Sequence, residues 1–154
     1  GEKMNCAVGK IIIDADACPK AVLEICQKIS GIYKVRLITV ASFNHQIKNS
    51  EHIVVGNASQ EADLKIMNIA QENDIVVTQD WGLAAMLLAK KVQCLNASGR
   101  VFNELQIDFL LEEREIKAKQ RRAGGKTKGP KKRKLEDDSA FEKRVLEMLK
   151  GPLN

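Results

Sequence analysis

Apolar residues along this chain fall into short β-branched runs, separated by longer stretches in which they recur every three or four positions. Lys10-Ile-Ile-Ile-Asp14 is the first run and predicts a strand closed by a carboxylate. Ala15-Asp16-Ala17-Cys18 then reads as a turn, and Pro19 suits a first helical position. Val22, Ile25, Cys26 and Ile29 are spaced for one buried face, which predicts a helix from Pro19 to Ser30 stopped by Gly31. Tyr33 to Val40 and His52 to Val55 predict the second and third strands, joined by the polar stretch Ser42 to Glu51. Ser59 is the expected cap of a second helix, which turns Ala62, Ile66, Ile69 and Ala70 inward and ends near Asn73. Asp74 to Thr78 repeats the style of the first strand, again with an aspartate, Asp80, just beyond it. An apolar helix over Leu83 to Lys90, a strand over Val92 to Leu95 and a helix capped by Asn103 and running to about Lys119 follow. Phe141, Val145, Met148 and Leu149 form the stripe of a closing helix that folds back on the domain.

Strands alternating with helices predict an α/β fold. The expected form is a three-layer sandwich with a central, mainly parallel five-stranded sheet and helices on both faces. Such sheets bind ligands beyond the carboxyl ends of their strands, so chain order already selects an edge. With 154 residues and 44% hydrophobic content, one core is the expectation. Its parts would be a leader over residues 1–9, an α/β domain over 10–121, a basic Gly-rich loop over 122–134 and a C-terminal helical segment over 135–154. Met4 is a candidate native start. No run approaches the roughly 20 apolar residues that span a bilayer, and the N-terminus lacks the order of a signal peptide. The expectation is a cytoplasmic protein with no membrane partner. Cys6, Cys18, Cys26 and Cys94 lack CxxC spacing, so they are read as idle or buried thiols rather than a zinc or redox site.

Charge changes the picture in two places. Asp14, Asp16, Asp63 and Asp80 are all expected at strand or helix ends on the binding edge. Carboxylates gathered there repel by about 1 kcal/mol per pair in water near 4 Å, and by more in a partly dry cleft. A bound cation resolves that conflict, and hard oxygen donors without a well-placed His or Cys favour Mg2+ or Mn2+. Such ions grip phosphate oxygens and acidify bound water, which is the chemistry of phosphodiester cleavage. The plainer reading gives each aspartate only local work, at a cap or a helix dipole. The second place is the basic block: residues 1–116 carry twelve Lys/Arg against fifteen Asp/Glu, whereas 117–134 carry ten Lys/Arg and no acid. That block suits a nucleic-acid backbone, with a solvated tail as the bland alternative. No aromatic residue interleaves with the cations, so base stacking is not expected.

Two other motifs in the chain resemble known sites less fully. Ile-Ile-Ile-Asp-Ala-Asp resembles the first motif of haloacid-dehalogenase-type phosphatases, with Asp14 as nucleophile, but Cys18 stands where Thr or Val is expected and no paired-Asp motif follows. Gly125-Lys126-Thr127 resembles the end of a nucleotide-binding loop, but Gln120 occupies the required first Gly position. The fuller match is elsewhere. Asp14-Ala-Asp-Ala-Cys-Pro19, Glu61-Ala-Asp63, Asp74-Ile-Val-Val-Thr-Gln-Asp80 and Arg121-Arg-Ala-Gly-Gly-Lys-Thr-Lys-Gly-Pro130 resemble the motifs of the uncharacterised bacterial YaiI/YqxD family. That family in turn resembles PIN-domain nucleases. The resemblance implies catalytic and metal-holding roles for Asp14, Asp63 and Asp80, with Asp16 as an accessory ligand or water-orienting group.

The resulting expectation is a metal-dependent nuclease acting on RNA or single-stranded nucleic acid, with Arg121, Arg122, Lys126 and Lys128 on substrate phosphates. A catalytically silent nucleic-acid- or ribosome-binding module and a small-molecule phosphatase are the alternatives. His45 and His52 are read as solvated, Trp81 as a wall of the cleft or a seal of the core, and Ser42, Asn44 and Asn57 as further candidates for substrate contact.

Overall fold

A computed structural model describes residues 7–43, 50–57, 60–122 and 132–151. Five strands, β1 (Lys10–Asp14), β2 (Arg36–Ala41), β3 (Glu51–Val54), β4 (Ile75–Val77) and β5 (Gln93–Leu95), form one sheet in the order β3-β2-β1-β4-β5. Every strand pairing in it is parallel. Helices α1 (Lys20–Tyr33), α2 (Glu61–Ile69), α3 (Trp81–Ala89), α4 (Glu104–Arg122) and α5 (Leu135–Met148) supply the outer layers.

The layering follows from the alternation of side chains along β1. Ile11 and Ile13 enter a core shared with Val22, Cys26 and Ile29 of α1 and Phe141, Val145 and Met148 of α5. Ile12, between them, enters the opposite core with Ile66 of α2 and Leu83, Ala84 and Leu87 of α3. All three isoleucines are fully buried, each stabilising the fold by about 1.5–3 kcal/mol. At the amino end of the sheet, Lys10 Nζ lies 2.5 Å from Asp74 Oδ2, and the same oxygen accepts the Gln71 N–H at 2.8 Å. This buried ion pair ties β1 to the start of β4.

Several boundaries differ from the sequence reading. Gly31 does not stop α1: the helix runs on until Lys34 takes a left-handed conformation (φ 58°), and Tyr33 packs against the core. Helix α2 is preceded by Gln60 and ends at Ile69, while the expected cap, Ser59, lies outside the described residues. Helix α5 begins at Leu135, a turn and a half before the apolar stripe starts. Its polar first turn is held by the Asp137 carboxylate, which accepts the Lys134 N–H at 2.9 Å. The leader also needs correction, because Val8 is buried in the core and the Ala7 N–H donates to the Leu149 carbonyl at 3.0 Å. Of the expected basic loop, Lys132 to Lys134 are described. There Arg133 donates to Asp138 Oδ1 at 2.7 Å and to the Ala97 carbonyl at 2.8 Å, so it clamps α5 to the turn after β5.

That turn depends on Gly99, whose φ of 87° is left-handed. A Cβ there would stand 2.7 Å from the Ala140 carbonyl oxygen. Gly99→Ala is therefore expected to lower stability by about 1–3 kcal/mol in urea unfolding, through overpacking and backbone strain. An unchanged unfolding midpoint would show that α5 does not press on this turn.

Candidate functional site

Asp14 is the last residue of β1, and its neighbour strands end beside it, so the carboxylate sits where backbone pairing stops. Thr78, directly after β4, is buried and donates its hydroxyl to Asp14 Oδ2 at 3.0 Å. The same Thr78 oxygen accepts the Asp80 N–H at 3.0 Å. One hydroxyl thus spaces two of the expected carboxylates. Asp80 caps α3, its Oδ1 accepting the N–H groups of Gly82 (2.9 Å) and Leu83 (3.1 Å). Asp63 lies in the first turn of α2.

Burial and neighbouring charge act on these carboxyls together. Burial raises the Asp14 carboxyl above its ordinary value, opposed by the Thr78 hydrogen bond and reinforced by the charges of Asp16 and Asp80. The Asp63 carboxyl is also raised, first by burial, then by the charges of Asp80 and Asp14 and by a hydrogen bond with Asp80. Asp16 occupies the short 3-10 turn Ala15–Ala17 and is held differently. Its Oδ1 and Oδ2 accept the Ser42 N–H at 2.9 and 3.1 Å, and Oδ1 also accepts the Ser42 hydroxyl at 3.1 Å. Asp16 therefore braces the end of β2, and its charge reaches Asp14.

Among the described residues, no group of three or more His, Cys, Asp or Glu side chains is arranged to hold a metal ion. A closed cage is therefore not the reading. The donor set instead suits Mg2+ or Mn2+, which keep several waters and take one or two carboxylates together with substrate oxygens. Crowded carboxylates with raised proton affinity are what such a cation would relieve.

Other expectations resolve as follows. Arg121 and Arg122 are the last two residues of α4. That helix starts by Asn73 and Lys91 at the amino end of the sheet, where Glu104 shares their cavity, and passes Trp81, whose ring lies 5.1 Å from Arg114 Cζ. Since Trp81 follows Asp80, α4 climbs to the carboxylate edge, and Arg122 stands about 12 Å further along its axis than Arg114. Trp81 itself packs on the second core, so it seals the core while carrying α4. Lys126, Lys128, Asn44 and His45 lie outside the described residues, and Asn57 is exposed.

His52 is not solvated. Its Nδ1 lies 2.7 Å from Thr39 Oγ1, its Nε2 lies 3.0 Å from the Phe43 carbonyl, and its ring stacks on Phe43, so it joins β3 to β2. Cys18, close to the edge, has its thiol pushed up to about 12 by burial and is no nucleophile at neutral pH. Sequence reasoning passed over Thr78 and gave Ser42 a different role. The available signal was their place: each directly follows a strand, where a hydroxyl can reach both backbone and carboxylate.

The fold and site define a parallel α/β protein with acidic side chains gathered at the carboxyl edge of its sheet. The chain belongs to the family described as Uncharacterized BCR, YaiI/YqxD family, whose model matches residues 12–151. It is similar to a UPF0178 protein of Heliobacterium modesticaldum, 55% identical over 132 residues, covering 86% of this chain and 90% of that protein. A UPF0178 protein of Exiguobacterium sibiricum is 42% identical over 140 residues (91% and 96% covered). One of Listeria welshimeri is 38% identical over 147 residues (94% and 97%). No solved structure matches the chain. Among the described residues no helix is long and apolar enough to cross a membrane.

Two outcomes are expected. Thr78→Val, which strands Asp14 Oδ2 and the Asp80 N–H, should cost about 1–3 kcal/mol in denaturant unfolding, while Thr78→Ser should keep most of the stability. The second concerns pH. With Asp14 and Asp63 raised above their unfolded value of 3.8, the folded state binds more protons than the unfolded state between the two values. Stability should therefore fall as pH rises from about 3.8 through the raised range and stay lower above it. Thermal melts of Asp14→Asn should be less steep in that window and higher at pH 7 than wild type; identical profiles would contradict the crowding.

Proposed function

We propose that this protein is a divalent-metal-dependent phosphodiesterase acting on RNA or single-stranded nucleic acid. The observation that carries the reading is the placement of Asp14 and Asp80, joined through the Thr78 hydroxyl at the carboxyl edge of a parallel sheet, with Asp63 in the first turn of α2 close enough for its carboxyl to be raised by the charges of both. A PIN-like nuclease arrangement has that pattern: one acid after the first strand, one on a middle helix and one after a later strand. Of Asp14, Asp63 and Asp80, one or two would hold Mg2+ or Mn2+, which when bound would supply Lewis acidity and a more acidic water, and the remaining carboxylate would add negative charge beside it.

The chain's own residues do the remaining work. Thr78 fixes the spacing of Asp14 and Asp80, and the α3 cap fixes Asp80 through its Oδ1. Asp16, braced by Ser42, orients water at the rim. Arg121 and Arg122 at the end of α4, with Lys126 and Lys128 beyond it, hold phosphates, which makes binding strongly salt-dependent. The small-molecule phosphatase reading needs Asp16 as a proton donor, and the three bonds from Ser42 to that carboxylate weigh against it.

Labelled RNA and DNA incubated with the protein and Mn2+ test this. Cleavage should fall by about 100-fold or more in Asp80→Asn, whose amide oxygen can still cap α3. Cleavage that is unchanged in the variant overturns the site. Salt-sensitive binding without any cutting, in wild type as well, would instead make the protein a binding module.

A further inference from the structure

Helix α4 has two apolar faces. One, with Ile107 and Ala118, lies over α3 and Trp81. On the other, Leu105, Phe109 and Ile116 are 84%, 59% and 57% exposed. At 3.6 residues per turn these three fall within about 40° of one another, a continuous outer stripe. A surface helix with one core to cover has no need of a second stripe, and large apolar groups clustered in water mark a contact surface.

The charges along α4 indicate what covers it. From Glu104 to Glu115 the helix carries five acids and one arginine, and from Lys117 to Arg122 it carries four cations and no acid. A helix polarised in this way complements itself when turned end over end. We propose that the outer face of α4 is the interface of a homodimer, in which α4 of a second copy packs antiparallel across it. With the two-fold axis between residues 112 and 113, Phe109 faces Ile116 of the second copy, and Asp108, which shares one flank of the stripe with Lys119, meets Lys119 of the second copy. Isologous contacts repeat each such pair twice. Glu113, which lies 3.6 Å from Lys117 four residues on, is partly neutralised within its own helix. Glu112 is the one acid inside the stripe. It falls next to the axis, opposite its own copy, and keeps the association moderate, as expected also from the small area that one helix pair covers.

Sedimentation equilibrium of the whole protein over roughly 1–200 µM tests this, a range that brackets a micromolar Kd. Wild type should dimerise reversibly. Phe109→Lys should weaken the dimer at least about tenfold, and Glu112→Leu should tighten it by a similar factor. Because these side chains are exposed, folding is preserved, which circular dichroism checks. Asp108→Lys and Lys119→Glu should each weaken self-association, and an equimolar mixture of the two should restore it. A wild type that is monomeric throughout, or a dimer unmoved by Phe109→Lys, overturns the proposal, and so does a mixture that fails to recover.

Discussion

Strand β1 is buried on both faces and paired on both sides, so it has no freedom in where it ends, and it ends on an aspartate. The rest of the acidic edge is arranged around that constraint. Burial makes the Asp14 charge costly, Thr78 offsets part of the cost, and Asp16 and Asp80 add to it. Stability is given up at one edge of the sheet and supplied by two aliphatic cores, while the Lys10–Asp74 ion pair fixes the opposite edge. Under the proposed function, a cation at that edge would lower the cost of gathering those charges.

Much of this was legible in the sequence. The β-branched runs ending in Asp14 and near Asp80 stand at the carboxyl ends of β1 and β4, since a strand buried on both faces reads as a continuous apolar run. Asn103 caps α4 as expected, its Oδ1 accepting the Gln106 N–H at 2.8 Å. Local rules failed where tertiary contacts outweighed them. Gly31 stays helical because Tyr33 finds the core, and α5 starts early because its polar first turn is held by capping and by Arg133 rather than by burial.

Side-chain partnerships were less legible than positions. Nothing in the spacing of residues 16 and 42 announces that Ser42 would grip Asp16, or that His52 would join Thr39 to Phe43. These pairs are made by strand register, which aligns Thr39 with His52, and register depends on the whole sheet. The charge polarity of α4, in contrast, is plain in the sequence but gains meaning only once its inner face is seen on Trp81 and its outer apolar face is left exposed.

The central claim is that the acidic edge is a cation site, and substoichiometric Mn2+ added to the isotope-labelled protein tests it most directly. Paramagnetic broadening should appear first at the amides of Asp14, Asp63, Thr78, Asp80 and Gly82, and it should disappear when excess Mg2+ is added. Broadening centred instead on another acidic stretch, such as Glu136 to Asp138 at the start of α5, with the sheet edge unaffected, would contradict the account.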